Sequence, residues 1–346
     1  MSWNNSPWGN YVRRLQWVTL PFKMSDPIAR SSLERRFLFV IGSPRSGTSW
    51  LHRMIGEHPS VASLEGELTT FNRYVAPLVE AYEAEHGHKE RGEWSQGLPL
   101  LYPRDEFDMA VRNALGDVYQ RVLAQNPSAT HILDKHPGYC DHLGMIQRYL
   151  PEARFIHIIR DGREVAVSMR SAKSRIGFGA RDVESAAREW HRTVDRSKKF
   201  GTTVGDRYLE IRYEELQHDT PAILAKVLAH SGLVPDPDHV QRVAHDFHIS
   251  RKQVSRGDAS LNAIRNEPGA IWRDRLSAKQ RYQFDRVAGE LLQSLGYAEP
   301  NWWALGVMDR LRVLPYPFLL KLRRSTKALY RIWSKPAILP ADRERG

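Results

Sequence analysis

Residues 36–50 read RFLFVIGSPRSGTSW, an apolar run that breaks into a turn of small residues and then resumes at helical spacing. Phe37 to Ile41 are all apolar, which suits a strand buried on both faces of a parallel sheet better than one with a wet face. Gly42, Ser43, Pro44, Arg45, Ser46, Gly47, Thr48 and Ser49 follow, and Trp50, Leu51, Met54 and Ile55 then carry a helical pattern. The order is strand, phosphate-sized loop, helix. Glycines at 42 and 47 let backbone N–H groups turn inward, and the helix start adds its own unpaired N–H groups and positive dipole end. Such a loop is built to hold an anion. Its spacing is G-x-x-x-x-G, yet Thr48 stands where a nucleoside-triphosphate loop needs Lys. ATP and GTP are thereby disfavoured, and Arg45 supplies the cation as a planar fork suited to a pair of phosphate or sulfate oxygens.

Three further strand-and-turn units lie downstream, besides a short strand and turn at 61–71. THILDKHP, residues 130–137, is a short buried strand that delivers Lys135 at its C-terminal end, the edge where ligands of open α/β sheets collect. In PEARFIHIIRDGREVAVSMRSA, residues 151–172, a third strand from Arg154 to Ile159 ends at Arg160-Asp161-Gly162-Arg163, and a helix starting near Glu164 carries Ser168. Residues 206–233 supply a fourth strand, an acidic turn and a helix closed near Gly232. Residues 61–71, VASLEGELTTF, read as a short strand and a turn bearing Glu65 and Glu67. Helical patterns cover most of 72–128, then 181–200 and 277–296. This alternation predicts an α/β fold, a P-loop-like three-layer sandwich whose central parallel sheet is flanked by helices through right-handed crossovers.

Composition narrows the class. The chain has 346 residues, 41% hydrophobic and 26% charged, with no apolar run near the ~20 residues of a membrane span. The start, MSWNNSPWGNYVRR, lacks the charged-then-apolar order of a secretory signal. Cys140 is the only cysteine, which excludes an internal disulfide and fits a reducing, cytoplasmic location. A net charge of +11 asks for an anionic partner without naming it. Nucleic acid is set aside because no zinc-finger spacing, arginine-glycine repeat or aromatic RNA-binding signature accompanies the charge. His86 and His88 lack further ligands at workable spacing, so no metal is expected.

Three domains are expected: an aromatic, basic arm over 1–35, the α/β unit over 36–300, and a basic tail over 301–346. Between Arg310 and Lys335 the tail has eight cations and no acid, with Phe318, Leu322, Leu329 and Trp333 on one side of a helix. Aromatic residues beside cations at both ends admit peripheral contact with an anionic membrane.

Taken together, these motifs resemble the sulfotransferases that use 3′-phosphoadenosine 5′-phosphosulfate (PAPS), in the style of the bacterial and tyrosylprotein members. The resemblance rests on Arg45-Ser46-Gly47-Thr48-Ser49-Trp50, on Lys135 in a Lys-x-Pro context, on Arg160 with Ser168 eight residues on, and on Tyr213 in a Tyr-Glu-Glu-Leu stretch. It implies that Arg45 and the loop hold the phosphosulfate, that Lys135 meets the bridging oxygen, and that Arg160 and Ser168 bind the 3′-phosphate. Trp50 and Tyr213 match the aromatics that lie against adenine. The basic segment 251–280 matches the family's cofactor cover only loosely, because the Arg-Lys-Gly triplet is not intact; Arg265 is the cation nominated there.

For the general base the resemblance implies a glutamate soon after the loop, Glu67 before Glu65. Cytosolic members place a histidine two residues after the lysine, where this chain has Pro137; His136 is off register by one and stays a rival. The acceptor, whether a small molecule, carbohydrate, glycolipid or peptide tyrosine, and the oligomeric state are not set by these residues. Two other readings compete: a P-loop kinase of a small molecule using ATP with magnesium, against which Thr48 speaks, and a non-catalytic module that binds membranes or polyanions.

Overall fold

The doubly buried run is β1, Arg36–Ile41, the middle strand of a parallel sheet. In this computed structural model, which describes residue 33 and residues 35–92, 96–247 and 271–313, the sheet holds five strands in the order β2-β3-β1-β4-β5. The others are β2 (Val61–Ala62), β3 (His131–Lys135), β4 (Arg154–Ile159) and β5 (Tyr208–Arg212). β1 pairs in parallel with β3, Val40 opposite Lys135, and with β4, Ile41 opposite His157. The helices are α1 (Thr48–Gly56), α2 (Ala76–Glu90), α3 (Arg104–Leu123), α4 (Leu143–Tyr149), α5 (Gly162–Ile176), α6 (Val183–Val204), α7 (Tyr213–His218), α8 (Thr220–Ser231), α9 (Pro237–Asp246), α10 (Ile271–Arg275), α11 (Ala278–Ser294) and α12 (Val307–Val313).

Strand alternation sends side chains to two separate cores. Phe37, Phe39, Ile41, Ile132 and Phe155 pack with residues of α2, α3 and α4. Leu38, Val40, Leu133, Ile156, Ile158 and Ile211 pack with α1, α8 and α9 on the other face. That is the expected helix–sheet–helix layering. A third cluster joins Ile159 to α5, α6, α10 and α11, and includes Trp302. Asp309 pairs with the buried Arg281 at 2.6 Å, so the chain beyond residue 300 continues to pack on this core as far as Val313, which is buried. The arm over 1–32, Arg265 and the tail over 314–346 lie outside the described residues.

Two elements differ in extent from the sequence reading. β2 is only two residues long because the chain leaves the sheet at Ser63 and turns through exposed Glu65 and Gly66. α5 begins at Gly162, two residues early, because Asp161 caps it by accepting from the Arg163 N–H. Strand order reverses at β1: the chain first builds β2 and β3 on one side, then crosses to β4 and β5 on the other. In open α/β sheets the crevice at such a reversal, at the carboxyl ends of the strands, is where ligands bind.

Candidate active site

The loop between β1 and α1 occupies that crevice. Gly42 has φ +154° and Gly47 φ +97°. A Cβ on Gly42 would lie 2.6 Å from the Ile158 carbonyl oxygen, and one on Gly47 2.6 Å from Tyr213 Cδ2; both positions therefore require glycine. Arg45 itself sits at φ +72°, a conformation that costs a side-chain-bearing residue energy and that clusters at ligand sites. Gly47 caps α1 without any side-chain hydrogen bond, leaving the first-turn N–H groups to an anion. The Ser46 hydroxyl is buried with no hydrogen-bond partner, an orphan that a ligand oxygen would satisfy.

On the β4 side the second arginine turn adjoins the first. Arg160 Nη1 donates to the Arg45 carbonyl at 3.4 Å, and Arg45 Nε donates to Ser168 Oγ at 3.2 Å. The Arg160 guanidinium lies 4.2 Å over the Tyr213 ring. Arg160, Ser168, Ser171 and Arg175 line one small cleft with Glu164 and Ile271. Burial first, then the charges of Arg160 and Arg175, push the Arg45 pKa down. Three guanidinium groups held this close are arranged for an anion. The sequence reading missed Arg175, although positions 168, 171 and 175 fall on one helical face.

On the β3 side, the Lys135 ammonium is 5% exposed and is held at two points: it donates to Ser49 Oγ at 3.0 Å and to the Glu67 carboxylate. Glu67 is 40% exposed, and its other oxygen lies 3.5 Å from His136 Nε2. His136 Nδ1 accepts from the Gly138 N–H at 3.0 Å, so a neutral ring carries its proton on Nε2, facing Glu67. Burial lowers the His136 pKa more than the neighbouring Glu67 raises it, which keeps the ring in that neutral form. Glu65 is exposed.

Trp50 and Tyr213 sit within the core under the loop. Trp50 is 2% exposed, donates its indole N–H to the Phe247 carbonyl at 3.0 Å, and meets Tyr213 edge to face at 5.6 Å. The pair supports the loop and Arg160 from below. Thr48 is buried at the start of α1. Alongside the loop, a cleft of about 510 Å³ opens between Pro44, Met169, Phe178 and Ala180, rimmed by Lys173 and Arg181.

These residues can hold a doubly charged anion at the loop and a second at the Arg160–Ser168–Arg175 cleft, with an ammonium and a carboxylate at the loop's other side. A family model described as "Sulfotransferase family" matches residues 38–237, more than half the chain. The chain is 25% identical over 275 residues to Protein-tyrosine sulfotransferase A of Caenorhabditis elegans, covering 77% of this chain and 68% of that protein. It is also 25% identical over 287 residues to an uncharacterized protein of Aquifex aeolicus (strain VF5), covering 79% of this chain and 34% of that one. The chain thus spans about a third of the second relative and two thirds of the first. Among solved structures, mouse sulfotransferase SULT7A1 complexed with PAP shares the fold at a TM-score of 0.50 and 16% identity, covering 78% of this chain and 91% of that one.

Proposed function

The chain belongs to the sulfotransferase family, and from that premise we propose that it moves a sulfuryl group from PAPS to an acceptor hydroxyl or amine, with Glu67 as general base. The observation that carries this reading is the double tether of Lys135, which joins Ser49 of the anion loop to the Glu67 carboxylate. That contact supports giving Lys135 the charge on the leaving phosphate and Glu67 the acceptor's proton. The mouse relative of the same fold is complexed with PAP, the product such a donor leaves, and the orphan Ser46 hydroxyl and the Arg160–Ser168–Arg175 cleft fit its two ends.

PAPS supplies an activated sulfuryl group on a phosphate leaving group. Arg45, the loop N–H groups and Lys135 neutralise charge on the transferring group and on that phosphate. The sulfuryl group carries less negative charge than a γ-phosphoryl group, so protein cations suffice in the roles that Lys and magnesium play in nucleoside-triphosphate loops. Glu67 takes the acceptor proton as the nucleophile's bond to sulfur forms. His136, with its proton on Nε2 facing that carboxylate, orients Glu67 and is not the base. Glu65 is exposed, as Glu67 is, and Glu67 is preferred because its carboxylate is the one tied to Lys135 and His136. Trp50 and Tyr213 brace the loop and Arg160 beside the adenine end. The 510 Å³ cleft beside Pro44 carries Asp182 and Glu189 as well as Lys173 and Arg181, and none of Glu67, Lys135 and His136 lines it, so the acceptor's class is left to the screen below.

The test is direct. PAP should raise the melting temperature of the protein where ATP with magnesium does not, and an acceptor screen with radiolabelled PAPS should return labelled product. Arg45→Ala and Lys135→Ala should each lower turnover by about 100-fold or more, as expected for lost oxyanion-type stabilisation. Absence of any PAP-dependent shift would remove the donor assignment.

A further inference from the structure

Asp134 and Lys135 are consecutive on β3, so their side chains leave opposite faces of the sheet. Lys135 turns to α1 and the anion loop; Asp134 enters the aromatic core on the other side at 3% exposure. A carboxylate there is costly unless its oxygens are fully bonded. It accepts the Lys135 backbone N–H on Oδ1 at 2.7 Å, and the hydroxyls of Tyr119 and Tyr139 on Oδ2 at 2.9 and 3.0 Å. Burial, opposed by those hydrogen bonds, still pushes its pKa up to about 6. Apolar residues of the same volume would stabilise a core at least as well, so the arrangement asks for another reason.

The two tyrosines supply one because they are not equivalent. Tyr119 reaches across from α3 and is bonded to the carboxylate. The Tyr139 hydroxyl has a single proton, shared between Asp134 Oδ2 and the Leu68 carbonyl at 3.2 Å as a three-centre bond, and its oxygen is met by Thr70 through both backbone and side chain. Its ring packs edge-on to Phe71 at 5.7 Å and lies 5.4 Å from His136. Leu68 follows Glu67 in a stretch, 63–69, that belongs to no helix or strand. One hydroxyl thus connects the strand end that carries Lys135 to the irregular segment that carries Glu67.

We propose that Tyr139, anchored on Asp134, is a positioning residue that holds the Glu67 segment in register with Lys135. This rests on the roles given above to Glu67 and Lys135. A group misplaced by about 1 Å loses on the order of 100-fold in rate, so a strut of this kind is worth a buried carboxylate's cost.

Tyr139→Phe and Tyr119→Phe make the same chemical change to the same carboxylate, both in fully buried rings. Two readouts separate them. One is steady-state release of radiolabelled sulfate from PAPS, to water or to the acceptor the screen returns, alongside PAP affinity. The other, which needs no donor, is cleavage after Glu65 and Glu67 by a glutamyl endopeptidase. Tyr139→Phe should lower kcat roughly tenfold with PAP affinity within about twofold, and speed cleavage at those two sites about fivefold, the effect of one lost hydrogen bond on a local opening. Tyr119→Phe should lose a similar melting temperature yet keep kcat and cleavage near wild type. Should Tyr139→Phe not fold, Thr70→Val removes a bond to the same hydroxyl and should move both readouts the same way. Equal effects of the two Tyr→Phe variants, or wild-type cleavage in Tyr139→Phe, would overturn the strut. A wild type with no sulfate release would count against the sulfotransferase reading alone, because the cleavage comparison still decides the strut.

Discussion

Replacing Glu67 by Gln should move donor affinity and turnover in opposite directions. Lys135 is buried and shares its ammonium between Ser49 and Glu67, so an arriving donor must compete with the carboxylate for it and must also approach that like charge. Two unit charges at ~5 Å in an effective dielectric of ~20 repel by about 3 kcal/mol. Glu67 is 40% exposed, and solvent screening brings the effect to about 1 kcal/mol. Glu67→Gln keeps the shape and removes the charge, so PAP should bind roughly fivefold more tightly, since ~1.4 kcal/mol corresponds to a tenfold change. Turnover should fall by about 10²–10⁴, the usual contribution of a positioned general base. Isothermal titration with PAP gives the first quantity and radiolabelled sulfate transfer the second. Glu65→Gln, at an exposed position, is the matched control and should change neither. Unaltered or weakened PAP binding in Glu67→Gln, or turnover within tenfold of wild type, would refute the reasoning.

Arg160→Ala removes a guanidinium that lies over Tyr213 and bonds the Arg45 carbonyl; PAP affinity should fall about 10- to 100-fold, as for lost charge-assisted bonds, with a smaller change in kcat. Arg175→Ala should weaken PAP in the same direction, and titration that shows no loss would remove Arg175 from the site. Gly47→Ala should lower stability by about 1–3 kcal/mol and abolish PAP binding, because its Cβ meets Tyr213 at a positive φ; a wild-type denaturant midpoint would contradict this. Stability should decline as pH falls below about 6.5. Burial lowers the pKa of His52 and His157 to about 3 and of His131 to about 4, so the unfolded chain takes up protons that the folded one refuses until near those values. Asp134, raised to about 6 by burial, works the other way between pH 6 and 4, as do Glu214 and Asp285, also raised by burial, but burial lowers His136, His230 and His239 as well, so six histidines oppose three acids. Urea midpoints that stay flat from pH 7 to 4.5 would refute this balance.

What the sequence made legible was local chemistry. An unbroken apolar run followed by a glycine-flanked turn forces a doubly buried strand and an anion loop, and β1 accordingly begins and ends within a residue of where its apolar run does. The positions of Lys135 and Arg160 at or just past strand ends, of Arg45 within the loop, and of Ser168 about two turns into α5 follow from the local pattern, whatever their roles. The roles of aromatic residues were not: the same apolarity that would stack Trp50 on a base also buries it, and here its indole N–H is taken by Phe247. Asp134 was illegible for a different reason. Within HILDK it reads as a polar interruption, and its partners come from α3 and from the turn after β3, neither of which any periodicity connects to it. Most of all, pattern can show three strand ends but not that the first lies between the other two. That single fact of order sets Lys135 on one flank of the loop and Arg160 on the other. Were β1 at an edge of the sheet, the same motifs would leave one of those cations with no loop to serve, and the site depends on the crossover between β3 and β4 as much as on any side chain in it.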